Sequence, residues 1–108
     1  MIEDNKKREK TVTLLKEIAG NFIRYEVDPK YMVTVHNADV SDSGRKVKYG
    51  ISVFPKDKEK ETLVLLSRKR GEMKKYMKEK TRLGILPHIT FEADKSWELE
   101  MRIDELLK

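Results

Sequence analysis

Residues Tyr31 to Phe54 read YMVTVHNADVSDSGRKVKYGISVF, and their alternation decides the fold. In the second half Val47, Tyr49, Ile51 and Val53 share one parity while Lys46, Lys48 and Ser52 take the other, as a strand with one buried face requires. In the first half Val33 and Val35 alternate with Met32, Thr34 and His36, but Ala38 and Val40 carry the apolar positions on the opposite parity. A parity switch near Asn37 predicts a β-bulge or a strong local twist. Ser41-Asp42-Ser43-Gly44 is turn chemistry. Two strands joined by so short a turn make an antiparallel hairpin.

The flanking segments read as helices. Upstream, Leu14, Leu15, Ile18, Ala19, Phe22 and Ile23 recur at spacings of three and four, predicting a helix from Lys6 to Glu26 that Asp28-Pro29 ends. Residues 1–5 are expected to be disordered. Gly20 inside this helix costs about 1 kcal/mol against alanine, which points to close packing against a neighbour. Downstream, Pro55 stops the second strand, and Leu63, Leu66, Met73 and Met77 continue a helical face that Gly71 should break into Glu59–Arg70 and Glu72–Lys80. Gly84 and Pro87 close the helical part, and Ile89, Phe91 and Ala93 alternate in a third strand. The end, SWELEMRIDELLK, predicts a short helix over 95–108 packed back on the domain. The order helix, strand, strand, helix, helix, strand is an α+β pattern, a small mixed sheet with helices on one face.

The 108 residues suffice for one domain. Of these, 38% are hydrophobic and 40% charged, well above the quarter that is usual for charge, so the chain can fill a single core and little more. The absence of cysteine removes disulfides and thiolate chemistry and fits a reducing compartment. No apolar run reaches membrane-spanning length, and the start MIEDNKKREK lacks a signal peptide's apolar core. A cytoplasmic monomer is the expectation.

The net charge of +5 is concentrated. Ser67 to Leu83, SRKRGEMKKYMKEKTRL, holds eight cations (Arg68, Lys69, Arg70, Lys74, Lys75, Lys78, Lys80, Arg82) and two anions (Glu72, Glu79), more than the surplus of the whole chain. Focused positive charge gathers polyanions. A charge run is ordinarily just a solvated helix face. Two features argue for more: few acids stand at i,i+4 to neutralise it, and a helix start at Gly71 would offer free N–H groups to a phosphate. Lys46 and Lys48, on the outward parity of the second strand, and Lys6, Lys7, Arg8 and Lys10 extend this surface or serve as ordinary solubilising charge.

Other constellations carry less. His36 and His88, without cysteine or i,i+4 spacing, do not make a metal site. Tyr31, Tyr49, Phe54 and Phe91 would stack on bases if exposed, but Tyr49 and Phe91 share the parity of the core. Asp39 and Asp42 belong to the hairpin turn. Neither a nucleophile beside a base nor a glycine-rich phosphate loop is present in the sequence, so neither enzymatic activity nor a cofactor is expected. A general RNA-binding module and a protein-interaction domain with an acidic partner both remain compatible with these residues.

Four pieces together resemble the ribosome-binding factor A family of bacterial small-subunit assembly factors: VTVHNADVSD followed by VKYGISVF, then TRLGILPHITFEAD, where Arg82, Leu83, Pro87, Phe91 and Asp94 fall at family positions, then MRIDELLK. The resemblance runs from about Lys10 to Leu107. It implies a type II KH-like fold, α-β-β-α-kink-α-β, whose GxxG loop is replaced by a helix–kink–helix around Ala-x-Gly. Here Lys69-Arg70-Gly71 stands at that place, with lysine where the family usually has alanine. It further implies binding to the immature 30S subunit and 16S rRNA and promotion of 5′-end processing, without catalysis. The residues expected at the RNA are Arg68, Lys69, Arg70, Gly71, Lys74, Lys75, Lys78 and Arg82, with Lys46 and Lys48.

Overall fold

The computed structural model describes residues 2–82 and 84–94. Its elements are α1 (Ile2–Glu26), β1 (Met32–Val40), β2 (Lys46–Phe54), a short 3-10 turn (Lys56–Lys58), α2 (Glu59–Arg68), α3 (Arg70–Lys80) and β3 (His88–Ala93). This is the expected α-β-β-α-kink-α-β order. The sheet runs β1-β2-β3, with β1 antiparallel and β3 parallel to β2. Among the described residues no helix is long and apolar enough to cross a membrane. The helix expected over 95–108, and Trp97 with it, lies outside the described residues.

Strand pairing explains the parity switch. Val35 faces Ile51 and Asn37 faces Gly50, so His36 is the extra residue of a bulge. After it, Ala38 and Val40 lie opposite Tyr49 and Val47, which returns the apolar side chains of β1 to the inner face. The hairpin turn closes through Gly44 N–H to the Ser41 carbonyl at 2.9 Å and Lys46 N–H to Ser41 Oγ at 3.1 Å. Gly44 sits at φ +73°, a left-handed conformation that a side chain disfavours.

One face of the sheet carries the core. Val47, Tyr49, Ile51 and Val53 of β2 and Ile89 of β3 are buried against Leu15, Ile18, Ala19, Phe22 and Ile23 of α1, Leu66 of α2, and Met73 and Met77 of α3. Burial of each of the valine, leucine, isoleucine, phenylalanine and methionine side chains stabilises the fold by roughly 1.5–3 kcal/mol. Tyr49 also donates its hydroxyl to the Leu15 carbonyl at 2.9 Å and stacks on Phe91 at 5.5 Å between ring centres. Burial pushes its phenol pKa up.

Several expectations need correction. Helix α1 begins at Ile2, four residues upstream of the Lys6 start that the apolar spacing predicts. Leu14 points outward instead of joining the core. A Cβ built on Gly20 would meet nothing within 4 Å, so close packing does not account for that glycine. The interruption between α2 and α3 falls at Lys69, not at Gly71, which lies in the first turn of α3. A glycine in a helix costs about 1 kcal/mol, too little to force a break where the surrounding chain continues to pack.

Candidate nucleic-acid interface

Helix α3 is pinned by its inner face. Met73 and Met77 are fully buried, and the Tyr76 ring meets Phe22 of α1 at 5.9 Å. This orientation leaves Gly71, Lys75 and Lys78 exposed along one outer stripe, at the i, i+4, i+7 spacing of a single helix face. Arg82 is exposed just past the helix end, and Lys74 is half-buried beside the stripe. Among the described residues, none of Lys74, Lys75, Lys78 and Arg82 forms an ion pair. Glu79, one turn from Lys75, does not pair either. Lys75, Lys78 and Arg82 face solvent, and Lys74 does so in part.

The start of α3 differs. Lys69 Nζ lies 3.6 Å from Glu26 Oε2 and 3.4 Å from Glu72 Oε2. Arg70 turns back, its Nε donating to the Ser67 carbonyl at 2.9 Å. A phosphate approaching the N–H groups at Gly71 would therefore meet two carboxylates with one lysine between them. At the other end of the helix Lys80 lies 5.7 Å from the centre of the Tyr76 ring, within cation–π range, and Thr81 Oγ1 donates to the Met77 carbonyl at 2.8 Å.

The open face of the sheet is a mixed surface. Lys48 stands opposite Asp39 in the β1–β2 register, and its Nζ is 3.9 Å from Glu92 Oε2. Lys46 is exposed on the same parity, opposite His88 of β3. His36 Nε2 and Ser52 Oγ form a 2.7 Å hydrogen bond across the hairpin, so the histidine straps the bulge. Asn37 accepts the Gly50 N–H at 3.1 Å and donates to Asp94 Oδ2 at 3.0 Å. One amide thereby ties β1, β2 and the end of β3. Among the described residues no cluster of histidine and carboxylate has the makings of a metal site.

Of the four aromatic candidates, Tyr49 is buried and Tyr31 and Phe91 are partly buried, whereas Phe54 is 69% exposed beside its cross-strand neighbour Met32. At the N-terminal end Arg8 is committed to the hairpin, with its guanidinium on the Val40 carbonyl and 3.6 Å from Asp42. Sequence reasoning missed the carboxylates that hold Lys69. Glu72 was visible as an i+3 partner. Glu26, at the far end of α1, was not.

The result is a small α+β domain that presents a cationic helix stripe with no ion-pair partner among the described residues. The chain belongs to the ribosome-binding factor A family, whose sequence model matches residues 3–107. It is 36% identical over 97 residues to ribosome-binding factor A of Halothermothrix orenii, covering 88% of this chain and 80% of that protein. With the Thermodesulfovibrio yellowstonii protein of the same name it shares 31% over 105 residues, 95% of this chain and 89% of the relative. The fold is similar to the crystal structure of ribosome-binding factor A from Thermus thermophilus, with a TM-score of 0.73 at 21% identity over 82% of this chain and 96% of that one. A homology model of the T. thermophilus protein, fitted into the cryo-EM map of a complex of 30S with ribosome-binding factor A, superposes with a TM-score of 0.68 at 22% identity, covering 78% of this chain and 91% of that chain.

Proposed function

We propose that this chain is a cytoplasmic, monomeric assembly factor that binds the immature 30S subunit through 16S rRNA and favours late maturation and 5′-end processing without catalysing it. Membership in the family supports the ribosomal partner, and the neighbour placed in a 30S complex supports the subunit. The observation that carries the RNA reading is the stripe of Lys75 and Lys78 with Lys74 and Arg82, which no described carboxylate neutralises. The chemistry asked of it is modest. Lysine and arginine heads neutralise phosphates and release condensed counterions, so affinity is set by how many phosphates they reach. Arg68, exposed at the end of α2, is placed to add one more.

Three to five phosphate contacts give a log–log slope of affinity against salt of about −2 to −4.5, at roughly −0.7 to −0.9 per contact. A filter-binding titration of the full chain on 16S transcript measures it. A slope near zero would defeat the reading, and in cell extract the protein should sediment with small subunits.

A further inference from the structure

We infer that Lys69 is a positioning residue: held between Glu26 and Glu72, it fixes the angle at which α3 leaves α2 and so aims the cationic stripe, without itself touching RNA. This rests on the RNA-binding reading above.

The backbone at the joint is nearly continuous. Lys69 N–H is shared between the carbonyls of Leu65 and Leu66, both at 3.1 Å, and its own carbonyl accepts Met73 N–H at 2.9 Å. Its φ of −93° and ψ of 8° lie in the bridge region next to the helical one. Neither proline nor a left-handed glycine imposes the bend, so side chains must choose its angle. The buried Met73 and Met77 and the Phe22–Tyr76 contact act along the body of α3. At the joint itself the described contacts between helices include one ion-pair bridge, Lys69 to Glu26 of α1 and to Glu72 of α3.

The charges fit a tie better than a phosphate site. Glu26 ends α1, where a carboxylate opposes the helix dipole, and a cation beside it removes that penalty. Glu72, in the first turn of α3, is favourably placed with respect to its own helix. The three groups together carry one net negative charge, which repels phosphate. Lys69 is 34% exposed and Glu26 25%, sheltered enough for the pair to be screened less than a surface bridge. The cations beyond it, on the stripe, have no such partners among the described residues.

The test measures full-length variants on 16S rRNA transcript over a range of salt. Lys75→Met serves as the contact control and should make the slope shallower by about 0.7–0.9. Lys69→Met should leave the slope unchanged while lowering affinity by about two- to fivefold at every salt, the scale of a partly exposed ion pair. Glu26→Gln should act in the same direction, the double variant should be no weaker than Lys69→Met, and Lys69→Arg should bind as the unaltered chain does. Loss of one contact's slope in Lys69→Met, unchanged affinity in it, or tighter binding by Glu26→Gln overturns the proposal. If the unaltered chain shows no salt-dependent binding, the RNA reading itself fails, and the tie is then judged by melting. Singles and double lowering Tm equally, by about 2–4 °C, support it, and additive or absent losses overturn it.

Discussion

The outer face of α3 and the open face of the sheet both present lysines to solvent, yet only one of them presents net charge. On the helix, Lys75 and Lys78 have neighbours drawn from their own stretch of sequence, which is short of acids. On the sheet, the neighbours of Lys48 come from two other strands: Asp39 faces it from β1, and Glu92 reaches it from β3. Pairing register brings distant residues within about 5 Å on a sheet face, so a lysine there is neutralised by residues that sequence proximity does not reveal. On the outer face of α3 the charge survives folding. On the open face of the sheet folding redistributes it.

The largest expected effect tests that contrast directly. Reversing Lys74→Glu, Lys75→Glu and Lys78→Glu together should weaken binding to 16S transcript by about a hundredfold or more, since each lysine–phosphate interaction is worth on the order of 1 kcal/mol in water and reversal adds repulsion. The pair Lys46→Glu, Lys48→Glu should cost less than about threefold, because Lys48 is already paired and its surroundings are acidic. Equal losses in the two variants, read in the same titration, would mean that compensation by Asp39 and Glu92 is irrelevant. Intact RNA binding in the triple variant would instead favour an acidic protein partner for the stripe.

A smaller effect breaks the sheet face while leaving the helix alone. A Cβ on Gly50 would stand 2.6 Å from Asn37 Oδ1, so Gly50→Ala must push the Asn37 amide aside and give up its bonds to the Gly50 N–H and to Asp94. The expected cost is about 1–2 kcal/mol in urea unfolding, the scale of two partly exposed hydrogen bonds with local repacking. Adding Asn37→Ala should then cost little more, since the two sites share one interaction. The salt slope of RNA binding should be that of the unaltered chain, and a shallower slope would connect the two faces where the structure keeps them apart.

What sequence could reveal follows the same division. The hairpin, the bulge at His36 and the inner parity of Tyr49 and Phe91 were legible because alternation is local. The stripe of α3 was legible because a helix face repeats every three or four residues. The expected joint at Gly71 lies two residues late, because a glycine is a visible breaker, whereas the lysine at the actual joint is held in part by Glu26, a residue at the end of another helix. The brace of Asn37, Gly50 and Asp94 was invisible for a like reason: each member is unremarkable alone, and only the strand register assembles them. Polar groups reach across long stretches of chain here, and single-sequence patterns report chiefly the apolar ones.

The inner face of the sheet offers the smallest effect at neutral pH and the one with a definite sign. Tyr49→Phe removes the hydroxyl that donates to the Leu15 carbonyl at 2.9 Å. That carbonyl lies inside α1, where the helix supplies its own N–H partner, so the loss at neutral pH should be near the lower end of the usual 0.5–1.5 kcal/mol, about 0.5. Alkaline pH changes the balance. Burial raises the phenol's pKa in the folded protein above its ordinary value near 10, so the folded state keeps a proton that the unfolded chain releases. Stability from this group is fully present below pH 10 and falls as pH rises beyond it, by up to about 1.4 kcal/mol per pH unit for one proton. The phenylalanine variant lacks that loss, so its Tm, lower at pH 7, should converge on that of the unaltered chain and cross above it as the solution is made more alkaline than pH 10. Parallel Tm curves for the two proteins through that range would show that the Tyr49 hydroxyl reaches solvent, and the inner face of the sheet would then be less sealed than the contact with Leu15 requires.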